Sequence, residues 1–382
     1  MADGSLDLDG PLQMRARAER VDLERLGGIL QLDPSPRGAL DLELELTGTA
    51  ASPRIAGNLR LEGLEVVDTR FSLIEGTVDY ADESAQLHLE VEQGGERIVT
   101  ASGSWPVNLA LGEVETRLPS RPVELVLEVN ELPAATALAP LEVLEEVEGV
   151  LNGRIEFRGE PTDLRPSGEL RLAGGRFALP EIGLRPGEVE AHLVLSPDGS
   201  VAVEARGRSV GPVEIEGTVD LSNLLDPAFD LRVQAQGFQA VNRRDLEGRV
   251  SGTIFLRGRY MEPRVTGSIR VDQANLFLEE FARTATVVDL SDPAFLAAVD
   301  TTLAAARRVA EAAQNPFIEN LRVDADLSIQ RDVWLRSREM NVEVGGDLIV
   351  TFDRSDREIL LVGQVEAVRG NYNAFGRQFQ VR

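Results

Sequence analysis

In run after run of this sequence, apolar and polar residues strictly alternate. In "ALDLELEL" Leu40, Leu42, Leu44 and Leu46 share one parity and acids take the other; "VELVLEVN" places Val123, Leu125, Leu127 and Val129 in the same way. "QLHLEVE", "VEIEGTVDL", "FDLRVQAQ", "NLRVDADLSI" and "EILLVGQVEAV" repeat the pattern. A side-chain period of two puts successive residues on opposite faces of a pleated strand, one face dry and the other wet. Glycine and proline between the runs mark turns. The alternation therefore predicts a mainly β, antiparallel chain with one long apolar face.

The glycines are themselves periodic. Gly38, Gly48 and Gly57 stand 10 and then 9 residues apart, as do Gly149, Gly159 and Gly168, and again Gly248, Gly258 and Gly267. Gly76 and Gly187 each follow the middle glycine of their set by 28 residues and open a further strand pair. The starts at Gly38, Gly149 and Gly248 give periods of 111 and 99 residues. Long periods with internal hairpins predict a continuous repetitive sheet: 1–37 closing a preceding repeat, then repeats over 38–148, 149–247 and 248–382.

The third repeat breaks pattern at "SDPAFLAAVDTTLAAARRVAEAAQNP". Ser291 or Asp292 caps a predicted helix with Pro293 in its first turn, Phe295, Val299, Leu303, Ala306, Ala310 and Ala313 form one apolar stripe, and Pro316 ends it. This amphipathic insertion, 291–315, either packs over the end of the sheet or lies within it as a lid or plug.

One helix cannot cover such a face. About 20 strands at ~4.8 Å each make a sheet ~100 Å wide, and open sheets rarely exceed ~10 strands without curling or splitting. A bare apolar face of that size aggregates. The sheet either closes over a dry core or stays ajar as a groove lined with Leu, Val and Ile. Aromatics are only 5% of the chain, and glycines at Gly57, Gly153, Gly217, Gly252, Gly267 and Gly363 share the apolar parity. Such a lining suits flexible acyl chains, yet strand glycines also mark bulges, so the residues alone leave both arrangements open.

Composition removes several function classes. The 382 residues are 43% hydrophobic and carry 39 basic against 64 acidic side chains, a net charge of −25, which argues against a nucleic-acid partner. Every basic residue is arginine, so Schiff-base chemistry and the phosphate-loop lysine are absent; no cysteine is present, so there are no disulfides or thiolate sites. No apolar stretch approaches the ~20 residues of a membrane helix, and no signal peptide precedes the first strand. The chain reads as a piece of something longer. "GRSVG" places Ser209 in a nucleophile-elbow pattern, but a strand follows it and His88 and His192 both precede it, against the order that motif needs. "SLDLDG" offers Asp7, Asp9 and Gly10 as half of a calcium loop whose twelfth position is Ala16. His88 and His192 are single wet-face residues that make no zinc site. No catalytic or metal site and no cofactor is expected.

The repeat unit, as in "GVLNGRIEFRGEPTDLRPSGELRL", resembles the repeats of the TamB family, the AsmA-like translocation and assembly module proteins of diderm bacteria. The C-terminal run "LLVGQVEAVRGNYNAFGRQFQVR" is similar to that family's best-marked segment, through Gly363, Gly370, Tyr372, Gly376 and Phe379. The resemblance implies a long sheet curled lengthwise into an open groove, a β-taco. It further implies a periplasmic protein anchored in the inner membrane by a helix absent from this chain, reaching an Omp85-type outer-membrane barrel (TamA-like). In the family the last segment, here Gly370, Tyr372, Gly376 and Phe379, serves the partner, and strands continue past "FQVR". The implied function is phospholipid transfer and outer-membrane protein assembly. Acyl chains would then touch Leu42, Leu44, Leu46, Leu59, Leu61, Leu125, Leu127, Ile155, Phe157, Ile215, Val233, Ile254, Leu256 and Ile269. The rival is a closed β-scaffold that binds assembly partners through a strand edge and carries no lipid.

Overall fold

A computed structural model describes residues 10–25, 36–66, 69–112, 114–139, 143–180, 182–223, 225–278, 317, 320–353, 358–374 and 377–381. The predicted helix 291–315 and Gly376 lie outside them. The described chain is almost entirely β. The strands are β1 (Pro11–Asp22), β2 (Arg37–Thr49), β3 (Pro53–Val66), β4 (Thr69–Arg70), β5 (Leu73–Ala81), β6 (Ser84–Gln93), β7 (Glu96–Pro106), β8 (Val123–Pro133), β9 (Glu145–Glu160) and β10 (Asp163–Ala178). They continue as β11 (Gly187–Leu195), β12 (Ser200–Ser209), β13 (Gly211–Asp220), β14 (Ala228–Asn242), β15 (Leu246–Arg259), β16 (Glu262–Phe277), β17 (Arg322–Arg336), β18 (Met340–Asp353), β19 (Glu358–Ala374) and β20 (Arg377–Val381). All belong to one 20-stranded sheet that is open rather than closed into a barrel. Among the described residues, helix amounts to short pieces such as the single turn Ala134–Ala137.

The chain divides into two compact units. One comprises Met1–Glu142, Glu148–Ala173 and His192–Gly199; the other comprises Val143–Val147, Gly174–Ala191 and Ser200–Arg382. In the first, β1, β2, β3, β5, β6, β7, β8 and β9 form an antiparallel ladder in chain order, each strand joined to the next by a turn or a loop of at most 16 residues. In the second, β12 to β16 continue the same arrangement.

One pairing departs from it: β16 and β17 are parallel, Arg264 facing Arg322 and Ile269 facing Leu327. Side-chain alternation is blind to strand direction, so the sequence pattern does not reveal this. Parallel neighbours need a crossover of a dozen residues or more, and residues 278–321 supply one, which gives the predicted insertion a topological reason. At its far end Phe317 packs between Phe229 and Tyr260, with ring centroids 5.8 and 5.9 Å away. From β17 onward the ladder through β18, β19 and β20 is antiparallel again.

Candidate functional site: an apolar face and its crease

The registers align the apolar parity of each strand with that of its neighbours. In the first unit one row reads Ala18, Leu42, Leu59, Gly76, Leu89, Ala101, Leu127, Ile155 across eight strands; the next reads Ala16, Leu44, Gly57, Val78, Leu87, Gly103, Leu125, Phe157. In the second, Ala205, Ile215, Val233, Ile254, Gly267, Ala325 and Val350 form a row. Its neighbour is Val203, Gly217, Leu231, Leu256, Val265, Val323 and Phe352. Each unit thus has one unbroken apolar face.

The fourteen residues expected to line a groove all lie on these faces. Leu42, Leu44, Leu46, Leu59, Leu61, Leu125, Leu127, Phe157, Ile215, Val233, Ile254, Leu256 and Ile269 are half-buried; Ile155 is buried. Among the described residues the largest fully buried side chains are Val123 and Pro263, neither of them bulky. Neither face is therefore packed as a dry sandwich core would be.

The opposite face is charged and paired. Arg15 reaches Glu45 at 3.0 Å, Arg154 reaches Glu128 at 2.6 Å, Arg60 pairs with Glu75, and Arg232 reaches Glu216 at 3.0 Å. These are cross-strand neighbours, which is what alternating acids and arginines produce in an antiparallel ladder. His88 and His192 join this side, 3.2 Å from Glu90 and 3.1 Å from Glu169.

The glycines of the apolar parity are not gaps. Gly217 and Gly267 have φ of +148° and +137°, and a Cβ there would lie 2.1 Å from the Asp230 carbonyl oxygen and 2.3 Å from that of Thr253. The adjacent backbone fills the space, so these positions serve close strand approach in a conformation that L-residues rarely adopt. At Gly57 the place of a Cβ is taken by Leu44 Cδ2, 2.6 Å away.

A second feature escaped sequence reasoning. In β1, β8 and β14 two residues face one on the following strand: Glu19 and Arg20 oppose Asp41, Asn130 and Glu131 oppose Asn152, and Gln236 and Gly237 oppose Ser251. At each bulge the second residue has positive φ, +48°, +49° and +57°. Its N–H, left out of the ladder, donates to the opposing side chain: Arg20 N to Asp41 Oδ1 at 2.7 Å, Glu131 N to Asn152 Oδ1 at 2.9 Å, Gly237 N to Ser251 Oγ at 2.8 Å. A fourth bulge sits at Gln330–Asp332 in β17, where Asp332 (φ +61°) donates to Glu343 Oε1 at 2.8 Å. Bulges bend strands and deepen twist. In each unit they therefore make a crease across the ladder, beyond which the apolar rows continue on a shorter wall. A signal did exist: Asp41, Asn152 and Ser251 are each the third residue after Gly38, Gly149 and Gly248. Alternation alone reads them as ordinary wet-face residues.

On the short wall of the second unit Val333, Val342 and Val344 are buried together, with Val271, Ala274, Ile329, Leu335 and Met340 packed against them. Behind this cluster Glu343 is only 3% exposed. It accepts the Asp332 N–H and pairs with Arg369, and both contacts hold its carboxyl below the usual carboxylate range, the Asp332 bond most of all. Arg336 and Arg369 stand over the Trp334 ring at 5.8 and 5.6 Å.

The C-terminal segment is more open. Tyr372 faces Phe379 across β19 and β20, 42% and 53% exposed, and Gly370 (φ +143°) faces Val342 and Val381. Ser209 ends β12 opposite Gly211, in a hairpin whose single intervening residue, Val210, has φ +64°. A strand thus replaces the helix a nucleophile elbow requires. Ala16 is a strand residue facing Leu44, while Asp7 and Asp9 lie outside the described residues.

No curated protein and no solved structure matches this chain. A family model of the TamB C-terminal domain matches residues 201–382, which takes in all but the first residue of the ladder from β12 to β20. With its creased apolar face, its parallel β16–β17 pair and its glycine-marked last strands, this stretch, just under half of the chain, is similar to a TamB C-terminal domain.

Proposed function

We propose that the apolar face is a conduit along which phospholipid acyl chains pass between the inner and outer membranes, in support of outer-membrane biogenesis and protein translocation and assembly. The observation that carries this reading is the half-buried state of continuous Leu, Ile and Val rows, open to a guest, on strands whose other face is charged and paired. The match of residues 201–382 to the C-terminal domain of the TamB family supports the setting. No tight site is needed, because each acyl CH₂ removed from water contributes about 0.8 kcal/mol wherever it lies along the rows. The chain acts without chemistry, as a periplasmic segment of a protein anchored in the inner membrane and docked on an Omp85-type, TamA-like barrel. Among the described residues no helix is long and apolar enough to cross a membrane. The repeats over 38–148, 149–247 and 248–382 would lengthen the same path, and Gly370, Tyr372, Gly376 and Phe379 would face the partner.

The test is native mass spectrometry with lipid extraction on the purified chain. Several copies of co-purified phospholipid, lost when Leu44, Leu59 or Leu127 is changed to Asp while far-ultraviolet circular dichroism is unchanged, are expected. A lipid-free chain, or one whose lipid survives those changes, would refute the conduit. A second reading, a scaffold that binds partners by strand addition, is favoured by the short β20. It covers β19 only from Gly370 to Ala374 and leaves Glu358–Arg369 with a strand on one side alone among the described residues. That reading predicts no lipid.

A further inference from the structure

We infer that the rim where β15, β16 and β17 meet on the charged face is a binding site for a phosphate group. The register places Asp230, Arg257, Arg264, Arg322 and Asp353 in one line across β14 to β18. The outer arginines are paired, Arg257 Nε donating to Asp230 Oδ1 at 2.8 Å and Arg322 Nε lying 3.0 Å from Asp353 Oδ2. Arg264, between them, has neither ion pair nor hydrogen bond to any described residue. Like charges directly opposite one another destabilise a ladder. Other arginines of this face oppose acids or uncharged residues, as Arg232 faces Glu216 and Arg270 faces Ser328. Three adjacent arginines in a chain with 64 acids to 39 bases are therefore a departure that an anion would relieve.

The three guanidinium stems rise within ~10 Å of sheet, at ~4.8 Å per strand. They border an open cleft of about 390 Å³ whose other walls are Gly258, Met261, Glu262, Pro263 and Asn320. Arg257 and Arg322 keep their aspartates there, so Arg264 is the arginine of the cleft without an acidic partner, with the Asn320 amide as a further donor. A carboxylate engages one planar fork; a tetrahedral phosphate presents oxygens to two or three at once.

The source of the phosphate follows from the other face. Next in from the same rim, Leu256, Val265 and Val323 face the apolar side, and Met261, 45% exposed, sits in the hairpin turn between the two faces. A phosphodiester held by Arg264 would leave its glycerol and acyl chains one turn's width from that face. The lipid source rests on the conduit reading; a free phosphate would not.

The experiment is calorimetric titration of the full chain with three probes: dioctanoyl phosphatidylglycerol below its micelle concentration, dioctanoylglycerol, and inorganic phosphate. Arg264→Gln is compared with wild type and with Arg171→Gln, an arginine of the charged face paired with Glu169 at 2.7 Å. The phosphatidylglycerol is expected to bind about tenfold more tightly than dioctanoylglycerol, the size of a charge-assisted hydrogen-bond contribution. Arg264→Gln is expected to erase that preference without weakening dioctanoylglycerol, and Arg171→Gln to keep it. If neither lipid binds while inorganic phosphate does, and Arg264→Gln abolishes it, the arginine site stands as a free-phosphate site and the conduit falls. A phosphatidylglycerol preference that survives Arg264→Gln, or a wild-type chain that binds none of the three probes, overturns the site.

Discussion

Replacing Glu343 by Ala should loosen the end of the second unit by breaking one clip in the crease. Its Oε1 accepts the Asp332 N–H at 2.8 Å, its Oε2 pairs with Arg369, and Glu343, the ladder partner of Trp334, is 3% exposed. Alanine removes the acceptor of the Asp332 N–H at an exposed residue held at φ +61°, and losing a hydrogen bond to a charged group costs about 1.5–3 kcal/mol. Losing the charge-assisted contact to Arg369, itself largely solvated, adds less than about 1 kcal/mol. Glu343→Gln keeps an oxygen for Asp332 and should cost only about 1 kcal/mol. The assay is amide hydrogen exchange, because a sheet whose strands touch only their neighbours opens locally before it unfolds globally. Protection at Asp332 and Val333 should fall by roughly tenfold or more in Glu343→Ala, and by less in Glu343→Gln. Urea unfolding followed by Trp334 fluorescence should shift in the same order. Unchanged exchange at Asp332 in Glu343→Ala would show that the bulge is held by the ladder alone and that the clip is incidental.

Three further outcomes follow from features of the sheet. Gly267→Ala, whose Cβ would lie 2.3 Å from the Thr253 oxygen and 2.8 Å from Ile254 Cα, should lower the melting temperature and cost at least about 1–3 kcal/mol of backbone strain; an unchanged melting temperature would refute the close approach. Acid should weaken the second unit through Glu343: its folded-state pKa is lowered, so its contribution is complete above the ordinary carboxylate pKa of about 4.3 and is lost as pH falls through the lower folded value. Stability by urea titration should be flat above about pH 5 and decline below about pH 4, less steeply in Glu343→Gln. Arg60→Ala, which removes an exposed, solvent-screened partner of Glu62 and Glu75, should leave the urea midpoint unchanged.

The strands were legible because alternation is a direct image of the pleat: Leu42, Leu44 and Leu46 could only share a face if "DLELEL" was extended. The registers carried that image across strands, so the candidate lining residues fell on common faces. Direction was not legible, since a parallel β17 shows the same alternation as an antiparallel one. Nor was the role of the glycines, because a missing Cβ reads as a void until the neighbouring carbonyl is seen to occupy it. The clips were half-visible. Asp41, Asn152 and Ser251 share an offset from their glycines, yet they share no residue type, because any oxygen of about the right reach can accept one N–H.

The parallel β16–β17 pair also bears on how the chain finds this structure. Up to β16 each strand follows its antiparallel neighbour over a connection of at most 16 residues, the longest being 107–122 between β7 and β8, so strands can zip on one after another. Between β16 and β17 the chain must instead close a loop spanning residues 278–321. Loop entropy grows by about 0.6 kcal/mol per doubling of length, so this step starts roughly 2 kcal/mol behind a hairpin turn. The hairpins of β17, β18, β19 and β20 depend on no such closure. Folding should accordingly proceed as two zippers that meet last at this pair, leaving the edges of β16 and β17 bare meanwhile and open to strand exchange between copies of the chain.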